Sequence, residues 1–280
     1  MRKTQKHIVL FLKLLLIVWC VWLMSQAVSA QTLPAVNDGQ PHGDPPFRLE
    51  EGWIPLLNGK NLNGWHGEDR QNNEWFAAPG VYWNPTKTPE RLLAIPGSGD
   101  TILNGTRGNT THLITDQKFG DLELYAEFLI PQKGNSGIYF GSLYKVQIFD
   151  SYGVERPLEW EDCGAIPTRG DKERFHGSPP LKNASRKAGE WQTYQIWFQA
   201  PRFDAAGKKV QNAKFLRVLL NGIVVQENVE VDGPTWAHLN IPEAATNPIM
   251  LQGDHGGVAY RNIYVRPLRP MVKPTENPER

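Results

Sequence analysis

The chain has 280 residues, 30 of them basic and 29 acidic, for a formal charge of +1 at pH 7. With charge balanced and no basic run interleaved with aromatics past the N-terminal segment, nucleic acid is excluded as the expected partner. Ten tryptophans, 26 glycines and 22 prolines point instead to an all-β domain with many turns and flat aromatic surfaces.

A basic start (Arg2, Lys3, Lys6) runs into an apolar stretch from Ile8 to Met24 that Lys13 interrupts. That pattern is expected of a secretory signal peptide over residues 1–30, with Val28 and Ala30 as the small residues before the cleavage point. The mature chain is then exported, to periplasm or medium. The short stretch and Lys13 argue against a retained membrane anchor, so no stable insertion is expected after cleavage. Cleavage also removes Cys20 and leaves Cys163, which rules out an internal disulfide and is expected to pack as a small buried residue. Residues 31–50 are polar and rich in Pro and Gly, a flexible tether. The tail over 269–280 is similar, which leaves 51–268 for the folded domain.

Within those limits apolar residues recur with period two. Leu122, Leu124, Ala126 and Phe128 alternate with Asp121, Glu123, Tyr125 and Glu127, which predicts a half-buried strand. Further strands are predicted over 137–140, 145–149, 193–198, 215–220, 224–229 and 258–265. Asn221-Gly222 is the clearest hairpin signal, because both residues accept the positive φ of a type I′ turn. No amphipathic helix beyond about two turns, no phosphate loop and no internal repeat is present. The class is therefore all-β, a two-sheet jelly-roll sandwich, since one domain of this size exceeds the ~100 residues of an immunoglobulin sandwich.

Glu123 and Glu127 lie on one face of a strand, but four residues separate them by roughly 13 Å. The carboxylate pairs of glycosidases stand ~5 to ~9.5 Å apart. These acids are expected to solubilise an exposed sheet face. In the strand over 145–149, Lys145, Gln147 and Phe149 share the face opposite Tyr144, Val146 and Ile148, with Asp150 at the end. A lysine, an amide and a carboxylate there suit a ligand thick with hydroxyls, and equally a solvated face. His255 sits in the glycine-rich turn 253–257, where a ring can face a ligand, whereas His66, His112, His176 and His238 lie in less informative loops. Trp65, Trp75, Trp83 and Trp191 can stack on sugar, with core filling the ordinary role of each.

Seven stretches occur in an order that matters: Leu56-Leu-Asn-Gly-Lys-Asn-Leu-Asn-Gly-Trp65, Asn135-Ser-Gly-Ile-Tyr139, Val146-Gln-Ile-Phe-Asp-Ser-Tyr-Gly153, Asp162-Cys-Gly-Ala-Ile166, Gly189-Glu-Trp-Gln-Thr-Tyr194, Ala200-Pro-Arg-Phe-Asp204, and Leu251-Gln252 followed by Arg261-Asn-Ile263. Together they resemble the 3-keto-disaccharide hydrolase domain family over nearly all of residues 52–268. The resemblance implies a concanavalin A-like jelly roll that cleaves glycosides already oxidised to a ketone at C3. Such a ketone acidifies the C2 proton, so a base removes it, the glycosidic oxygen leaves, and water adds afterwards. The chemistry needs a proton acceptor and something to steady the enolate, either a metal or a cationic side chain. It thus fixes no cofactor and admits a divalent metal, with no ligands assigned.

Carried onto this chain, the resemblance marks Asp150, His255 and Lys145 as catalytic candidates. Asn135, Tyr139, Gln147, Arg169, Gln252 and Arg261 are the candidates for holding an oxidised glycoside. Arg261 equally suits a structural arginine bonded to a carboxylate across the sandwich. Many relatives carry glutamate at the position of Lys145 and tyrosine at that of Pro167. A lysine at 145 can stabilise an enolate and would repel a cation. The alternative for the same surface is a non-catalytic carbohydrate-binding module or scaffold.

Overall fold

The computed structural model describes residues 52–168 and 176–269, and every regular element among them is a strand. The expected signal peptide, the tether, the tail beyond residue 269 and Arg169 lie outside the described residues. In chain order the strands begin with β1 (Ile54–Pro55), β2 (Trp65–Gly67), β3 (Phe76–Ala78), β4 (Tyr82–Trp83), β5 (Leu92–Leu93), β6 (Thr101–Leu103) and β7 (Leu113–Phe119). They continue with β8 (Leu122–Leu129), β9 (Asn135–Phe140), β10 (Tyr144–Phe149), β11 (Ile166–Thr168), β12 (His176–Ser178) and β13 (Gln192–Gln199). The last are β14 (Arg202–Phe203), β15 (Lys209–Gln211), β16 (Ala213–Leu220), β17 (Ile223–Val231), β18 (Asn247–Leu251) and β19 (Ala259–Pro267).

Two sheets account for the fold. One runs β17-β16-β13-β8-β19-β6-β3, with β1 paired to β19, and the other runs β10-β9-β18-β7-β2. The chain is a two-sheet jelly-roll sandwich. Alternation along each strand sends Leu124, Ala126, Phe128, Tyr194, Ile196 and Phe198 of the larger sheet toward Ile138, Phe140, Val146, Ile148 and Leu251 of the smaller, all of them 2% exposed or less. Phe140 lies tilted against Phe198, with ring centroids 4.8 Å apart, and meets Phe215 edge-on at 5.4 Å, the latter a ring geometry that aromatic quadrupoles favour. Cys163 is buried here, its Sγ 3.3 Å from the Tyr194 hydroxyl. The β16–β17 hairpin turns at Asn221 and Gly222, with φ of 53° and 80° and Leu220 facing Ile223, as a type I′ turn requires.

β8 departs from the expected half-buried strand, because all eight of its residues are buried. Its outward carboxylates do not solubilise the face. Arg261 Nε donates to Glu127 at 2.7 Å and its guanidinium lies 3.8 Å from the Trp191 ring centroid. Arg266 Nε donates to Glu123 at 2.6 Å and stacks at 4.5 Å on Trp53. Each carboxylate takes a second bond, from Tyr125 Oη to Glu127 at 2.9 Å and from Gln195 Nε2 to Glu123 at 2.7 Å. Period two marks which residues turn outward; it does not show that tryptophan-capped arginines will dry them.

Removing one partner of such a pair strands the other in a poorly solvated place. Arg261→Met is therefore expected to destabilise the fold by about 3–5 kcal/mol, read as a lower urea midpoint. Arg261→Met with Glu127→Leu should recover much of the loss. A single variant within ~0.5 kcal/mol of wild type would show that the pair is effectively solvated.

Candidate active site

The smaller sheet turns its second face away from the core, and the register lines its side chains into rows. Lys145 faces Tyr139, Tyr139 faces Met250, and Met250 faces Ile114. In the next row Gln147 faces Gly137, whose carbonyl accepts the Gln252 amide at 3.0 Å. Leu239 and Ile241 pack over Ile114, Tyr139 and Met250 and close part of this face. Tyr139 donates its hydroxyl to the Trp236 carbonyl at 2.9 Å.

Lys145 is 6% exposed, which is unusual for a lysine without an ion-pair partner at contact distance. Gly137 makes this possible. A Cβ on Gly137 would lie 2.2 Å from Cε and 2.9 Å from Cγ of Lys145, so the lysine stem lies across the bare glycine. Its amine stands 5.7 Å from the Tyr139 ring centroid. Burial drives its pKa down and the Asp254 carboxylate pulls it partly back, leaving it at about 7. An amine so placed exchanges a proton near neutral pH.

Asp254 gathers the polar groups around it. Its Oδ1 lies 2.6 Å from His255 Nδ1, 2.9 Å from Gln252 Nε2 and 3.9 Å from His112 Nδ1. Burial alone would raise the Asp254 carboxyl, but the bonds to His255 and Gln252 and the charges of His112 and His255 outweigh it and hold the carboxyl below its ordinary value. Gln147 Nε2 donates to Asn135 Oδ1 at 3.3 Å. The Oε1 atoms of Gln147 and Gln252 are buried and have no hydrogen-bond partner. Two orphaned acceptors beside a titratable amine are unfavourable in a mere structural floor. They suit a ligand that brings hydroxyl donors.

Of the residues singled out in the sequence, the fold brings together Lys145, Gln147, Asn135, Tyr139, Gln252 and His255. It places two elsewhere. Asp150, at the end of β10, accepts from the Lys133 backbone at 3.0 Å and lines a cleft of roughly 630 Å³ with Trp83, Tyr152 and Lys187. Arg261 lies on the outer face of the other sheet, paired with Glu127. Asp254, His112 and Gly137 also belong to the site without being marked by the sequence, although Asp254 stands in the same glycine-rich turn as His255.

The family model of the 3-keto-alpha-glucoside-1,2-lyase-like domain matches residues 52–266. The chain belongs to that family. A Bacteroides thetaiotaomicron protein named 3-keto-disaccharide hydrolase is 30% identical over 92 residues, which are 32% of this chain and 27% of the relative. The match thus spans about a quarter of that relative's length. A crystal structure from Parabacteroides distasonis, of a protein provisionally named a glycosyl hydrolase, is 28% identical and superposes with a TM-score of 0.57. It covers 78% of this chain and 84% of its own.

The site's donor set can also be tested against a divalent metal. Among the described residues no group of three or more His, Cys, Asp or Glu side chains is placed to hold one. His255 Nδ1 and Asp254 Oδ1 are engaged with each other at 2.6 Å, His112 Nδ1 stands 3.9 Å from the same oxygen, and the ammonium form of Lys145 would repel a cation. These residues do not fit a metal.

The lowered lysine pKa also bears on stability. Between about pH 7 and the ordinary lysine value of 10.5, the unfolded chain holds a proton that the folded one does not, so stability rises with pH by about 1.4 kcal/mol per unit. Below pH 7 both states are protonated and the folded state carries the full penalty of a buried charge. Lys145→Met removes that penalty, so its gain in melting temperature over wild type should be largest near pH 6.5 and shrink toward pH 9.5. A pH-independent difference would show that the amine is solvated.

Proposed function

We propose that this chain is an exported enzyme that cleaves 3-keto-glycosides by elimination and hydration. The observation that carries the proposal is the buried amine of Lys145, poised near neutrality beside Asp254 and two unpartnered carboxamide oxygens. Family membership and the name of the Bacteroides protein support the substrate class, and the name of the Parabacteroides protein supports glycoside cleavage alone. Export rests on the basic start and the apolar run from Ile8 to Met24.

In this mechanism neutral Lys145 takes the C2 proton, and the C2–H electron pair moves into an enolate with the C3 carbonyl. The ammonium so formed steadies the adjacent enolate, the task for which relatives with glutamate at this position would need another group. The enolate then re-forms the C3 ketone, its C2=C3 pair becomes a C1=C2 double bond as the C1–O bond breaks, and His255, oriented by Asp254, protonates the leaving oxygen. Water then adds across C1=C2: His255 takes its proton as the hydroxyl bonds to C1, and the Lys145 ammonium returns a proton to C2, which restores both side chains and makes the net change a hydrolysis. Gln147 and Gln252 accept from ring hydroxyls and fix the sugar over the amine.

Incubation with a 3-keto-disaccharide should release free sugar, while the parent disaccharide stays intact. The rate should rise with pH through about 7 as Lys145 loses its proton, be indifferent to chelators, and fall ~10²–10⁴-fold in Lys145→Gln. Binding of either sugar without product would instead identify a carbohydrate-binding module. A Lys145→Gln variant as active as wild type would remove lysine from the mechanism.

A further inference from the structure

β10 is an edge strand of the smaller sheet, and an edge strand presents a row of backbone groups that no neighbouring strand takes up. Both floor residues of β10 send a backbone N–H to that side. Gln147 finds backbone there: its amide donates to the Ala165 carbonyl at 2.9 Å, and its carbonyl accepts the Gly164 amide at 2.9 Å. Lys145 finds a side chain. Its amide donates to Thr235 Oγ1 at 3.0 Å. The same hydroxyl donates to the Leu143 carbonyl at 3.0 Å, which also accepts the Thr235 amide at 2.8 Å. Thr235 is fully buried and completes the edge as one residue of an added strand would, its hydroxyl standing in for a carbonyl.

The segment that carries Thr235 is itself fastened to the sheet. The Leu239 amide donates to the Ser142 carbonyl at 3.1 Å, the Tyr139 hydroxyl donates to the Trp236 carbonyl at 2.9 Å, and Leu239 packs over Ile114, Tyr139 and Met250. Thr235 is thus a fixed point against which Lys145 is held. The depth of Lys145 matters because its stem fills the space that a side chain at Gly137 would take, so a small outward shift of its backbone lifts the amine toward water. Resting on the proposed role of Lys145 as the base, we infer that Thr235 is a positioning residue of this site, its hydroxyl holding Lys145 at the depth where the stem crosses Gly137. The groups facing the amine are Tyr139 of β9 and Asp254 of the turn after β18, with His112 and His255 gathered on Asp254. In the Thr235 segment, His238 turns its Nδ1 to the Leu239 carbonyl at 2.6 Å. Replacing Thr235 by valine alters none of these charges and keeps nearly the same side-chain shape, so a change in the titration of Lys145 reports displacement of its amine.

The test follows the Lys145 resonance by nuclear magnetic resonance with isotopically labelled lysine, assigned by its loss in Lys145→Met, in wild type, Thr235→Val and Thr235→Ser. Wild type and Thr235→Ser should titrate near pH 7, and Thr235→Val at least about one pH unit higher as the amine gains water. The rise of kcat with pH on a 3-keto-disaccharide should move up by the same amount in Thr235→Val and stay in place in Thr235→Ser. A residue that merely stabilised the fold would lower the melting temperature and leave both titrations where they are. Thr235→Val titrating with wild type, or Thr235→Ser shifting as far as Thr235→Val, overturns the assignment. If Thr235→Val does not fold, Thr235→Ala is read in its place against Thr235→Ser. A wild type that turns over no 3-keto-disaccharide while its Lys145 still titrates near 7 refutes the reaction alone, and the comparison of titrations decides Thr235 separately. Lys145 titrating at the ordinary lysine value in wild type overturns both.

Discussion

A missing side chain governs this site. Because Gly137 carries no Cβ, the stem of Lys145 lies flat across β9 and its amine is drawn into the sheet floor. Burial then depresses its pKa, and the position of Asp254 limits how far. With any side chain at 137 the lysine would be pushed upward into water, where lysines keep an ordinary pKa. The reactivity of one residue is thus set by the emptiness of its cross-strand neighbour.

The two sheets handle buried charge in opposite ways. On the larger sheet the buried Glu123 and Glu127 each receive an arginine in good geometry, and a tryptophan covers each pair; such arrangements fix structure and give up reactivity. On the smaller sheet the lysine has a single carboxylate acting from a distance, and two amide oxygens nearby lack partners.

The fold was largely legible in the chain because long strands with one apolar side announce themselves by period two: β8, β10, β13, β16, β17 and β19 are each predicted within a few residues. β18 was not, since Pro248 argues against an interior strand; it is accommodated by a register shift between Pro248 and Met250. β2, β3 and β6 are three residues each, too short to show any period. The site was half legible. Alternation alone places Lys145 and Gln147 on one face, but nothing local tells that Asp254 would stand near them, or that Glu127 would claim Arg261. Those are consequences of strand order, which brings β18 beside β9 and β19 beside β8, and strand order is not written in any single segment.

Two hydroxyls rivet the layers together. Tyr194 of the larger sheet donates across the core to the Gln147 carbonyl at 2.5 Å, and Tyr260 meets Ser136 Oγ at 2.8 Å. Both fastenings land on the strands that carry the site. Sliding of one sheet over the other, the soft deformation of a sandwich, must break them inside an apolar core where water cannot replace the lost bonds. The floor therefore behaves as a rigid plate. Adjustment to ligands of different shape would fall to the loops at its margin, so that sequence change can accumulate there without displacing the rows of side chains beneath.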